Sequence, residues 1–154
     1  MYKTIMMLLA AFAATFAGAQ EESMPLDDAF ARLAVYEFGQ SRLPLTAIES
    51  AIHAAHGDPA AQRALAQRLT DLLVQGCPID AQRFICRQLA VIGDASAVPA
   101  ALPLLADPAT ADIGQRLLES IPGPEAAAAL ATALDTLPDA LKLGVIQVMG
   151  RRGD

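Results

Sequence analysis

Apolar residues recur along this chain at helical spacing. Leu65, Leu69 and Leu72 fall at i, i+4 and i+7, and Ile85, Leu89, Ile92 and then Leu141, Val145, Val148 repeat those offsets. Leu45, Ile48, Ile52 and Ala55 follow at i, i+3, i+7 and i+10. Each set lies along one stripe of a helix. No window sustains the two-residue alternation of a half-buried strand. Glycines follow the periodic runs at Gly39, Gly57, Gly76, Gly93, Gly123 and Gly150, where a left-handed C-terminal cap would sit. Asp58-Pro59, Asp107-Pro108 and Gly123-Pro124 read as helix starts, because proline presets φ for the first helical residue. The pattern predicts eight helices, over 26–38, 44–56, 59–75, 79–92, 96–106, 109–121, 124–137 and 139–149. Pro99 falls in a first turn, whereas Pro103 lies deeper and is expected to kink or break its helix. Short connections make consecutive helices antiparallel neighbours.

A longer period is superposed on the helical one. Leu89-Ala-Val-Ile92, Leu118-Glu-Ser-Ile121 and Ile146-Gln-Val-Met149 align at intervals of 29 and 28 residues, with Arg87 and Arg116 in step. The preceding stretches, Val98 to Leu105 and Ala127 to Leu134, correspond as well. A two-helix unit of that length leaves one apolar face open, and stacking against the next unit covers it. The expected fold is all-α, an α-solenoid of about four antiparallel helix pairs, HEAT/armadillo-like, over 26–56, 59–92, 96–121 and 124–149.

The segment from Gly93 resembles a HEAT repeat of the short, bacterial, phycobilisome-lyase-like type. The resemblance is carried by Gly93-Asp94, by Val98-Pro99 with Leu102, by the Leu-Leu-x-Asp-Pro turn from Leu104 to Pro108, and by the closing Leu118-x-x-Ile121. Tyr36 to Arg42, Pro44 to Glu49 and Arg83 to Leu89 are similar to the opening of exported HEAT-repeat proteins from bacterial envelopes. The chain departs from that pattern at Ile121-Pro-Gly123, at Pro103, and in ending as its fourth pair ends. The resemblance implies a protein-binding scaffold without catalysis. Its lyase members imply the alternative of a bilin-lyase-like, chromophore-attaching enzyme, and a metal-dependent HEAT enzyme is the other enzymatic alternative. A further alternative is the N-terminal fragment of a longer array, self-associating through Leu141, Val145 and Val148 of the last pair.

Composition narrows the function. Of 154 residues, 54% are hydrophobic, and 11 Lys and Arg stand against 17 Asp and Glu for a net charge of −6. That is enough apolar content for a core, and it offers no basic footprint for nucleic acid. Met1-Tyr-Lys3, the apolar run Thr4 to Phe16 and Ala17-Gly-Ala19 form the three regions of a secretory signal. The run is shorter than a membrane span needs. The expected organisation is a signal peptide at 1–19, a linker at 20–25, the repeat domain at 26–150 and a tail at 151–154. The expected location is periplasmic or secreted, with no stable membrane insertion after cleavage.

Little reaction chemistry stands out. Glu49, His53 and His56 place two imidazoles and a carboxylate near one helix face, the one metal-ligand pattern in the chain. No second helix carries a histidine for a triad, and no metal or other cofactor is expected. Cys77 and Cys86 would sit in an oxidising compartment, but most of two helical turns separates them. That is about 10 Å against a limit of roughly 7 Å, so no disulfide is expected. Arg83, Arg87 and Arg116 lie on second helices, which face the concave surface in HEAT solenoids, and are the candidate contacts to a protein partner. Tyr36 and Phe38 are expected in the core of the first pair.

Overall fold

The computed structural model describes residues 24–153. Among them are eight α-helices and no strand: α1 (Leu26–Leu33), α2 (Leu43–Ala54), α3 (Pro59–Gln75), α4 (Ile79–Ile92), α5 (Val98–Leu105), α6 (Ala111–Ser120), α7 (Pro124–Thr136) and α8 (Asp139–Arg152). A single 3₁₀ turn, Ala95–Ala97, leads into α5. The expected signal peptide lies outside the described residues.

Local chemistry sets most boundaries. Asp58 Oδ1 accepts hydrogen bonds from the N–H groups of Ala60 (3.0 Å) and Ala61 (3.1 Å), satisfying two orphan donors at the start of α3. Pro59 opens that helix, and Gly76 (φ +89°) closes it in a region closed to most side chains. Asp107 does not cap α6 directly. Its carboxylate closes a turn on the Ala109 N–H at 2.9 Å, and α6 begins two residues later than expected. The buried Thr110 hydroxyl donates to the Leu104 carbonyl at 2.9 Å, tying the end of α5 to the start of α6.

Several expected boundaries are corrected. α1 stops at Leu33 rather than 38, because Val35 and Tyr36 donate to carbonyls only three residues back, tightening and ending the last turn. Gly93 is extended (φ −76°, ψ 158°), not left-handed. Gly150 lies inside α8, which runs on to a left-handed cap at Gly153 (φ +73°, ψ 22°). Arg151 and Arg152 are therefore helical rather than a tail. Pro103 stays within α5, which continues past it to Leu105, so the proline does not break the helix where it sits.

Packing follows a simple scheme. Within each consecutive pair the two helices pack on each other. Between pairs, second helices meet second helices: α2 with α4, α4 with α6, and α6 with α8. First helices meet likewise, α3 with α5 and α5 with α7. Arg68 of α3 joins α1, bonding Asp27 at 2.7 Å with its guanidinium 4.0 Å from the centre of the Phe30 ring. The buried side chains form one continuous cluster from Ala29 to Val148.

Glycines permit the closest approaches. A Cβ on Gly114 would come within 3.0 Å of both the Ala101 carbonyl oxygen and Leu104 Cβ, and one on Gly144 would collide with the Gln115 side chain. The last pair also differs from expectation. Val145 and Val148 are fully buried and Leu141 is half-buried, so they cannot form the open face proposed for self-association. The outward apolar residues of α8 are Leu143 and Ile146. No helix among the described residues is long and apolar enough to cross a membrane.

Candidate docking cleft

The three arginines singled out in the sequence converge on one place. On α4, the inward set Ala81, Phe84, Ile85, Cys86, Gln88 and Leu89 leaves positions 83 and 87 outward, one helical turn apart. On α6, the inward set Ala111, Ile113, Gly114, Leu117 and Leu118 leaves Asp112, Arg116 and Ser120 outward. Because α4 packs directly on α6, the two outward rows face a common cleft of about 690 Å³. Arg83, Arg87, Asp112, Arg116 and Glu119 bring the charge, while Cys86, Ala90 and Ile113 supply small or apolar lining.

Each arginine has its own setting. Arg83 Nη1 lies 3.4 Å from Asp80 Oδ1, a long contact at an exposed position. Asp80 Oδ2 in turn accepts the Phe38 N–H at 3.0 Å, anchoring the α1–α2 loop to the first turn of α4. The Arg87 guanidinium lies over the Phe84 ring, 5.8 Å from its centre. Arg116 has no carboxylate within 4.0 Å among the described residues. Its nearest acid in sequence, Glu119, is taken by Arg151, whose Nε and Nη2 donate to the two carboxylate oxygens at 2.7 Å each. That fork holds the Glu119 carboxyl below its usual range, through the Arg151 hydrogen bond first and nearby arginine charge second.

Arg152 Nη1 donates to the carbonyls of Leu118 and Ile121 at 2.6 Å each, closing the end of α6 with a cation where its dipole is negative. Sequence reasoning missed both contacts of the last helix. The signal was present, since two arginines at the end of a periodic run suit a helix C-terminus.

The other candidates do not assemble. α2 ends at Ala54, so His56 has left the helix that carries Glu49 and His53. Among the described residues no three His, Cys, Asp or Glu side chains come together to hold a metal ion. Tyr36 is buried as expected, but Phe38 is 90% exposed, because the early end of α1 swings it outward.

Cys77 and Cys86 are free thiols, the first half-buried and the second buried. Burial, with a smaller push from Cys77, raises the Cys86 thiol from the ordinary 9.0 to about 12. The unfolded chain then loses this proton first. Stability owed to the neutral thiol is complete below pH 9.0 and is lost as pH rises toward about 12, with a slope of at most about 1.4 kcal/mol per pH unit. Urea unfolding of the reduced protein between those limits should show a steeper loss for the parent than for Cys86→Ala. Equal slopes would contradict the buried, neutral thiol.

No protein-family pattern, curated protein or solved structure matches this chain.

Proposed function

We propose that the chain is an exported HEAT-type α-solenoid of four antiparallel helix pairs, which binds another protein of the bacterial envelope and performs no catalysis of its own. The observation that carries this reading is the convergence of Arg83, Arg87 and Arg116 on the cleft between two adjacent second helices. The same-with-same packing of first and second helices supports the solenoid. A rigid, helix-built concavity rimmed by arginine has the composition of a protein-docking hot spot. The address-like residues 1–19 support export.

The reading is tested in two steps. The segment 1–30, fused to a reporter active only outside the cytoplasm, should direct export with processing after Ala19. The protein should retain a specific envelope protein, and the paired substitution Arg87→Glu with Arg116→Glu should weaken that complex at least tenfold, about 1.4 kcal/mol. A complex indifferent to both charge reversals overturns the reading.

A further inference from the structure

We propose that the cleft between α4 and α6 takes an extended acidic segment of the partner protein, its carboxylates bridging Arg87 and Arg116 while an intervening apolar side chain rests against Cys86, Ala90 and Ile113. This rests on the docking function above and fixes the chemistry of what docks.

The charge distribution carries the inference. The whole chain is acidic, at −6, yet three arginines meet in one cleft. Of the two acids beside them, Glu119 is already held by the Arg151 fork. Arg87 and Arg116 have no carboxylate within 4.0 Å among the described residues, so their guanidinium edges can receive one in the two-pronged geometry arginine favours. Like charges sharing a partly enclosed space repel, and an incoming anion relieves that repulsion.

The rest of the cleft makes the occupant a peptide. Cys86 is buried and neutral at physiological pH, so its thiol adds no competing negative charge. Beside it Ala90 and Ile113 offer an apolar lining that a bare anion would leave unused. An extended strand sends successive side chains to opposite faces. Acidic and apolar residues in alternation therefore match a cleft whose exposed rim is charged on both helices and whose deeper lining is small or apolar. Stacking on Phe84 restrains Arg87, so less side-chain freedom is lost on binding. An extended nucleic-acid backbone brings more negative charge onto a protein that is itself acidic, and is disfavoured beyond the cleft itself.

The test titrates a labelled hexapeptide of alternating aspartate and valine into the purified full-length protein, read by fluorescence anisotropy. Saturable binding is expected, weakening as salt rises. Arg87→Glu with Arg116→Glu should reduce affinity at least tenfold, and Arg63→Glu, on α3 and outside the cleft, should leave it unchanged. Should the reversed pair fail to fold by circular dichroism, Arg87→Gln with Arg116→Gln takes its place, with the same loss expected. Equal binding of an alternating lysine and valine peptide overturns the inference, as does peptide binding that survives loss of both arginines. Displacement by equimolar inorganic phosphate or by a single-stranded oligonucleotide also overturns it, pointing to a general anion site. Absence of peptide binding, in a protein whose envelope complex is still broken by the charge reversals, rejects the acidic-segment chemistry and leaves the docking function standing.

Discussion

Replacing Leu117 by alanine is expected to lower the unfolding free energy by about 3 kcal/mol, within the roughly 2–5 kcal/mol span for such truncations. α6 packs against α4, α5, α7 and α8, and Leu117 is fully buried on it. The cavity left behind would be walled by several helices, each braced by a neighbour, so collapse to fill it is restricted. A domain of this size holds about 5–15 kcal/mol in total, so the loss is a large fraction. Urea unfolding should show a lower midpoint with an unchanged slope. Leu143→Ala provides the contrast: that side chain is exposed on α8, and its loss should change stability by no more than about 0.5 kcal/mol. A Leu117→Ala protein as stable as its parent would mean that α6 is not the central element described above.

Gly114→Val should cost about 2 kcal/mol for the opposite reason, an excess of atoms. The added Cβ would lie 3.0 Å from the Ala101 carbonyl oxygen, 3.0 Å from Leu104 Cβ and 3.2 Å from Leu105 Cδ2. Backbone contributes to that wall, so relief requires α5 and α6 to separate, and the two γ-carbons of valine widen the separation further. Alanine at the same site regains up to about 1 kcal/mol of helix propensity, which offsets much of the milder clash. Gly150 is the control, a helical glycine whose added Cβ meets nothing within 4 Å. Gly150→Ala should raise the thermal midpoint while Gly114→Val lowers it. A change of the same sign at both sites would contradict the close packing of α5 on α6.

Much of the helical layout was legible in the residues, for identifiable reasons. Repeated stripes such as Ile85, Leu89, Ile92 recur over many turns, and Asp58-Pro59 combines a cap with a preset φ, so α3 and α4 fall where the pattern places them. The misses involve residues whose role depends on tertiary partners. Gly150 resembles a stop, but α8 continues because Arg151 and Arg152 reach Glu119 and the end of α6. Phe38 resembles core, but Asp80, 42 residues away, fixes its backbone where the ring faces solvent. Val145 and Val148 carry an amphipathic stripe whose partner helix the pattern alone cannot name; it is covered from within the chain.

The candidate site was legible in part. The i, i+4 spacing of Arg83 and Arg87, and the 29 residues from Arg87 to Arg116, place all three on second helices in the repeat reading. Their common cleft depends on α4 meeting α6, a pairing that the repeat implies only if the units stack. Engagement of Glu119 by Arg151 was not visible, because it spans 32 positions and joins a residue expected in a tail. The Glu49, His53 and His56 pattern fails for a local reason, since α2 ends before His56.

The proposed stacking of helix pairs in a row underlies the reading of both the cleft and its partner, and native-state hydrogen exchange tests it most directly. If each pair is held by its neighbours, α4 and α6, packed on both sides by other second helices, should exchange with the highest opening free energy, and protection should fall toward α1 and α8. Equal protection of all eight helices, with α1 and α8 opening only when the whole molecule unfolds, would describe one indivisible globule and contradict the row.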